Sequence, residues 1–79
     1  MSLRIEIGNK FIHAKEIYEV QGKRAWAIVN TKSGHEIACV GYYPAWKRYV
    51  MFTDAPTVFD SGCLLSIKKF MDDKNSELI

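Results

Sequence analysis

The chain has 79 residues, of which 48% are hydrophobic and 13% aromatic, and its eleven basic and nine acidic residues give a net charge of +2. This length allows one small domain, and this composition excludes an intrinsically disordered chain. The small net charge gives no reason to expect a strongly charged partner, and no segment reaches the roughly 18 apolar residues of a membrane helix.

The N-terminus contains no apolar stretch of signal-peptide length. We therefore expect a cytoplasmic protein that forms one domain over residues 1–79 and has no membrane partner. In that compartment the two cysteines, Cys39 and Cys63, stay reduced, and we expect them to be buried as small hydrophobic side chains.

The N-terminal third predicts two strands. Residues 4–7 alternate between charged and apolar side chains and precede the turn signal Gly8-Asn9. Residues 11–20 fit both a strand period and a helical face. We favour a strand because isoleucine and valine are present and Gln21-Gly22 follows as a tight turn.

Three further strands are predicted, over residues 24–30, 36–43 and 46–52, with a glycine-containing turn over residues 31–34. Pro44 cannot adopt the positive φ that a two-residue hairpin loop needs at its first position, so the last connection must be wider than Pro44-Ala45. Tyr43 and Trp46 are then expected partly in the loop. Gly41, inside a strand, indicates a bulge or the close approach of an aromatic ring.

A C-terminal helix is predicted after residues 53–56, where the sheet ends before a proline. Asp60 has the character of an N-cap, and Phe59 is placed to pack on Leu64 as a hydrophobic staple. Residues 74–79 are expected to form a frayed tail. The predicted buried side chains recur at helical spacing and are Cys63, Leu64, Ile67, Phe70 and Met71.

These elements predict an α+β fold, a meander of three to four antiparallel strands with one C-terminal helix packed on one face. Both faces of the central strands are apolar, although one helix covers only one of them. The second face is left for residues 11–20 to wrap over, for a second copy of the chain, or for a different partner. In the fourth predicted strand the two faces are Ile37, Cys39 and Tyr43 against Ala38, Val40 and Tyr42.

Enzyme chemistry finds little support in the sequence. The four potential zinc ligands, His13, His35, Cys39 and Cys63, lack the spacing of a metal site. Cys63 is predicted in the first turn of a helix, where the macrodipole lowers a thiol pKa, but it shares the apolar face of that helix. There is no carboxylate pair at a telling spacing and no glycine-rich phosphate loop. We therefore expect no catalytic residue, no metal and no cofactor.

A longer string has a distinctive pattern, Trp-Lys-Arg-Tyr-Val-Met-Phe at 46–52, then Pro-Thr-Val-Phe at 56–59, then Cys63-Leu64, Ile67 and Phe70. This string, together with residues 26–30 and Ser33-Gly34, resembles a group of small uncharacterised proteins of bacteria and their prophages. The similarity spans about Trp26 to Met71. It implies a small intracellular accessory protein of unassigned function, and no catalytic residue carries over.

The surplus of aromatic surface leads to a functional prediction, a non-catalytic interaction module that binds a protein partner or itself. The predicted contact residues are Tyr43, Trp46, Arg48 and Tyr49, because large rings and arginine supply most of the binding energy in interfaces. The alternative is a single-stranded nucleic-acid-binding protein. In that case the rings stack on bases while basic residues such as Arg24, Lys47 and Arg48 meet phosphates.

Overall fold

A computed structural model describes residues 3–20, 22–53 and 57–78. In these ranges the strands form one antiparallel meander in the order β1-β2-β3-β4-β5, followed by the helix α1. The α+β fold and its C-terminal helix are confirmed, with five strands rather than three or four. The elements are β1 (Arg4–Ile5), β2 (Ile12–Val20), β3 (Lys23–Asn30), β4 (Glu36–Tyr43), β5 (Arg48–Phe52) and α1 (Ser61–Ser76).

The ambiguous N-terminal segment is a strand, as predicted. β2 pairs with β3 over most of its length, with Ala14 opposite Ile28 and Glu16 opposite Trp26. Because β2 lies within the sheet, it does not wrap over a sheet face, which removes one of the three alternatives for covering the second face. The segment instead widens the sheet, and β1 pairs with its outer edge through Arg4 and Ile5.

The core lies between α1 and one face of the sheet, which we call the core face. Trp26, with only 1% of its surface exposed, is its largest fully buried side chain. The rings of Tyr49 and Phe70 meet Trp26 edge to face, with centroids 5.5 and 5.4 Å away. The buried members of this cluster are Ile12, Ala14, Trp26, Ile28, Val40, Tyr49, Cys63, Ile67 and Phe70.

The helix begins where the sequence predicts it. Asp60 is the N-cap, and its Oδ1 accepts a hydrogen bond from the Cys63 backbone N–H at 2.7 Å. The buried face of α1 is formed by Cys63, Ser66, Ile67 and Phe70. Leu64, predicted to be buried, is 48% exposed, because the buried face is centred on Cys63, Ile67 and Phe70 and Leu64 lies at its flank.

The C-terminal boundary of α1 also differs from the prediction. The helix continues to Ser76, so residues 74–76 are helical rather than part of a tail. The cause is tertiary packing, since the Lys74 ammonium lies 5.0 Å from the Trp26 ring centroid and 5.3 Å from that of Phe70. Cation–π contacts of this kind, with the lysine stem covering apolar surface, stabilise a last turn that the sequence alone leaves polar.

One irregularity changes which side chains reach the core. Ile28 pairs with Ala38 but Val29 pairs with Glu36, so Ile37 is an extra residue in β4. Ile37 and Ala38 both pack against the core, contrary to the strict alternation that placed them on opposite faces. A β-bulge has this effect because two residues of one strand face a single residue of the other.

Candidate functional site

The sheet face opposite the core has no second layer in the described part of the chain. All described strands belong to the one sheet, and α1 packs on the core face. Strand alternation assigns to this other side, which we call the open face, every residue that points away from the core. By the strand registers these residues include His13, Lys15 and Ile17 of β2, Ala25, Ala27 and Val29 of β3, Glu36, Cys39, Gly41 and Tyr43 of β4, and Arg48, Val50 and Phe52 of β5.

The open face contains a groove with a floor of small side chains. Ala25 and Ala27 are buried beneath their larger neighbours, although no helix lies above them. Gly41 continues this floor, and a Cβ there would lie 3.6 Å from Cε2 of Phe52, which confirms the predicted close approach of a ring. A cavity of about 370 Å³ lies beside it, lined by Ala25, Cys39, Gly41, Tyr42, Tyr43, Pro44 and Phe52.

The turn between β4 and β5 places Trp46 against Tyr43, which lines this groove. The backbone N–H groups of Trp46 and Lys47 both donate to the Tyr43 carbonyl, at 3.1 and 2.9 Å, and Lys47 has a φ of 55°. The turn therefore holds four residues, wider than Pro44-Ala45 as predicted. Trp46 lies in this turn, and β5 begins only at Arg48.

Three rings form a cluster at the rim of the groove. Tyr43 meets Trp46 edge to face with centroids 5.1 Å apart, and it meets Phe52 in the same manner at 6.2 Å. Their exposed fractions are 37% for Tyr43, 65% for Trp46 and 44% for Phe52. We call these residues the ring cluster. Exposed apolar rings in mutual contact, beside a groove, are typical of a binding surface.

Of the four predicted contact residues, the structure brings three together. Tyr43 and Trp46 belong to the ring cluster, and Arg48 pairs with Tyr43 at the start of β5. Tyr49 lies on the core face with 8% of its surface exposed, and burial raises the pKa of its hydroxyl. Tyr49 is a core residue because it alternates with Arg48 along the strand. Phe52 was missing from the prediction, although it shares the strand parity of Arg48 and Val50.

Charges occupy the two ends of the open face. At one end Lys15 Nζ reaches over β3 to Glu36 Oε2 at 3.1 Å, and the Glu36 side chain remains 55% exposed. The bulge in β4 explains why Glu36 points to this side. At the other end Arg48 lies beside Tyr43. The face therefore has an ion pair at one end and a guanidinium at the other.

A second predicted set of basic and aromatic residues does not form a surface. Arg24 makes two hydrogen bonds to Glu16, from Nε at 2.8 Å and from a terminal nitrogen at 3.0 Å. These bonds lower the pKa of Glu16 and raise that of Arg24. Trp26, the ring expected beside Arg24, is buried and unable to stack on a base.

The outer edge of β5 is occupied by a side chain of the helix. The Tyr49 N–H donates to Oδ1 of Asn75 at 2.7 Å, and Nδ2 of Asn75 donates to the Tyr49 carbonyl at 3.4 Å. The carboxamide thus takes the place that a neighbouring strand would have. Sequence reasoning missed Asn75 because it lies 26 residues from its partner, in a segment read as a tail.

The described residues show no arrangement for metal or thiol chemistry. No group of three or more His, Cys, Asp or Glu side chains among them is placed to hold a metal ion. Burial raises the pKa of Cys63, which opposes formation of a nucleophilic thiolate. Across residues 3–20, 22–53 and 57–78, no helix has the length and apolar character needed to cross a membrane.

The chain matches no protein-family model, no curated protein and no solved structure. The resemblance to small bacterial and prophage proteins stays a prediction. The geometry of the open face is therefore the basis for any functional conclusion.

Proposed function

We propose that this protein is a non-catalytic interaction module and that the open face is its contact surface. The observation that carries the proposal is the ring cluster of Tyr43, Trp46 and Phe52, exposed beside a groove that no described segment covers. Burying one large ring stabilises a complex by roughly 1.5–3 kcal/mol. Folded chains seldom leave several such rings together in water without a partner to receive them.

A photo-cross-linking experiment in the native host cell tests this proposal. A benzophenone amino acid replaces Trp46 in one variant and Leu65 in the other, and both are irradiated before denaturing electrophoresis. Leu65 is a matched control because it is also an exposed apolar residue, on α1 and away from the open face. We expect adducts from position 46 and few from position 65. Equal yields at the two positions, or none at either, would contradict the proposal.

Single-stranded nucleic acid remains the second candidate, because Lys47 and Arg48 directly follow Trp46, the most exposed member of the ring cluster. Two basic side chains beside one accessible ring make a short track compared with the several contacts of such proteins. Nuclease treatment before electrophoresis separates the candidates. Adducts at position 46 that disappear with nuclease favour nucleic acid, and adducts that survive as protein bands favour a protein partner.

A further inference from the structure

We infer that the cavity between the β4–β5 turn and the last turns of α1 binds a carboxylate, supplied by an acidic segment of a protein partner. We call this cavity the carboxylate site. It shares only Arg48 with the open face and is therefore a second contact site, beyond the one in the proposed function. Its volume is about 440 Å³, and its lining is formed by Lys47, Arg48, Asp72, Asn75, Ser76 and Leu78.

The polar side chains on the helix side of the carboxylate site are already engaged. Asp72 accepts a hydrogen bond from Lys68 Nζ at 2.6 Å. Asn75 accepts from the Tyr49 N–H at 2.7 Å, and the Ser76 hydroxyl donates to a backbone carbonyl of the same helix at 2.6 Å. All three therefore have partners within the chain.

The sheet side presents two cations without a counter-ion. Neither Lys47 nor Arg48 makes an ion pair or a side-chain hydrogen bond with another residue in the part of the chain that the structure describes. An ammonium and a guanidinium only donate hydrogen bonds, so a ligand that satisfies them must be an acceptor. Hydrogen bonds between ionised groups are stronger than those between neutral groups. The site therefore favours an anion.

The surroundings favour a singly charged carboxylate over a phosphate. The carboxylate of Asp72 forms part of the wall, and the C-terminal end of α1 carries a partial negative charge. Both offset positive charge of Lys47 and Arg48, so a dianion gains less there. The planar guanidinium matches the two oxygens of a carboxylate. A nucleic-acid strand would also bring further phosphates toward the exposed carboxylates of Asp73 and Glu77.

The turn holds Lys47 in a backbone conformation that suits glycine better than lysine. Its φ is 55°, and it is the only non-glycine residue with a positive φ among those that the structure describes. Glycine adopts this conformation without steric strain, as Gly34 does in the preceding turn. Strained residues of this kind cluster at binding sites. The strain therefore supports a binding role for the lysine side chain.

An acidic protein segment fits the site together with the neighbouring ring. Trp46 directly precedes Lys47 and is 65% exposed. A carboxylate alone binds weakly to exposed cations, because exposed ion pairs contribute little in water. An apolar side chain next to the acidic residue would pack on Trp46 and add buried area. The expected segment therefore has aspartate or glutamate beside a leucine, methionine or aromatic residue.

Peptide titrations followed by ¹H–¹⁵N NMR test the carboxylate site. The probe is a capped Glu-Glu-Leu-Glu-Glu-Leu peptide, and the control peptide has glutamine in place of each glutamate. We expect the glutamate peptide to shift the backbone N–H signals of Lys47, Arg48 and Ser76, and the glutamine peptide to shift them little. Equal shifts with the two peptides, or no shift at these residues, would overturn the inference.

Substitutions on the sheet side assign the binding to its two cations. Lys47→Gly and Arg48→Gln should each weaken binding of the glutamate peptide by about fivefold. Lys32→Gln is the matched control, because Lys32 is also an exposed turn lysine without an ion pair in the described ranges. Lys47→Gly should keep the fold, since glycine relieves the strain. Equal weakening in all three variants, or no weakening in the first two, would overturn the site.

Two further ligands test the choice of a carboxylate on a protein segment. At the same ionic strength, inorganic phosphate and a short oligothymidine should both bind more weakly than the glutamate peptide. Tighter binding of inorganic phosphate would overturn the carboxylate, and tighter binding of oligothymidine would overturn the protein segment in favour of nucleic acid.

The open face and the carboxylate site fail separately. Adducts at position 46 together with no binding of the glutamate peptide would remove the carboxylate site and keep the open face as a contact surface. Binding of the glutamate peptide at the carboxylate site without such adducts would do the reverse.

Discussion

At the level of single residues, the two tryptophans have opposite environments. Trp26 is 1% exposed in the core and its Nε1 has no hydrogen-bond partner among the described residues, whereas Trp46 is 65% exposed. We expect acrylamide to quench mainly the fluorescence of Trp46 in the dilute protein. Trp46→Phe should leave a blue-shifted emission that resists quenching, and Trp26→Phe a red-shifted emission that does not. Similar quenching of both variants would contradict this assignment.

A second prediction concerns the cap of the helix. The hydrogen bond from the Cys63 N–H holds the pKa of Asp60 below its usual value of 3.8. Asp60→Ala removes the cap and should lower the melting temperature at neutral pH by about 5 °C. Asp60→Asn keeps an oxygen acceptor at the same place and should lose much less.

A comparison of the wild type with Asp60→Ala gives the pH dependence of the cap. Because the pKa of Asp60 is lower in the folded state, its charged form stabilises the fold fully above the unfolded pKa. This contribution is lost as pH falls below about 4 and through the folded pKa. The stability of the wild type should therefore fall toward that of Asp60→Ala in acid, measured by thermal melts from neutral to acidic pH. A difference in melting temperature between the wild type and Asp60→Ala that stays constant with pH would contradict this prediction.

At the level of elements, α1 and β5 are joined by a side-chain amide. Asn75→Ala leaves the Tyr49 N–H and C=O without their partner and should lower the free energy of unfolding by about 1–3 kcal/mol. Asp73→Ala, exposed on the same helical turn, should change it by less than about 0.5 kcal/mol. Urea unfolding measures both. Hydrogen exchange at the Tyr49 backbone N–H should accelerate only in Asn75→Ala. An unchanged rate in that variant would argue against the hydrogen bond from Tyr49 to Asn75.

Two glycines, one in β4 and one in the turn before it, should respond to alanine with stability changes of opposite sign. A Cβ at Gly41 meets Phe52 at an ordinary 3.6 Å, so Gly41→Ala should raise stability by about 0.5–1 kcal/mol through reduced chain entropy. Gly34, in the turn before β4, has a φ of 78°, and Gly34→Ala should destabilise the fold because alanine is strained there. Urea titrations compare the two. A loss of stability in Gly41→Ala would show that the groove floor has no room.

At the level of the whole molecule, local signals predicted what depends on neighbours in sequence. The Asp60 cap, the wide turn around Pro44 and the strand character of β2 all follow from residues within a few positions. The sheet has five strands rather than three to four because the two-residue β1 also joins the meander, pairing with Lys15 and Ala14 of β2. The elements whose boundaries or faces differed depend on distant partners.

Three differences show this dependence on tertiary structure. The bulge that turns Ile37 toward the core arises in the pairing of β4 with β3, which no local pattern records. The last turn of α1 is stabilised by Trp26, 48 positions before Lys74. For the candidate site, Tyr43, Trp46 and Arg48 were predictable from composition. Alternation along the strand separates Tyr49 from Arg48, but which of the two faces the helix covers depends on tertiary structure.

The amide of Asn75 on the edge of β5 also bears on aggregation. An unprotected edge adds strand after strand and has no natural end, so proteins that associate in this way form ribbons. Asn75 opposes such addition at Tyr49, and Asn75→Ala would leave the N–H and C=O of Tyr49 open to a strand of another molecule.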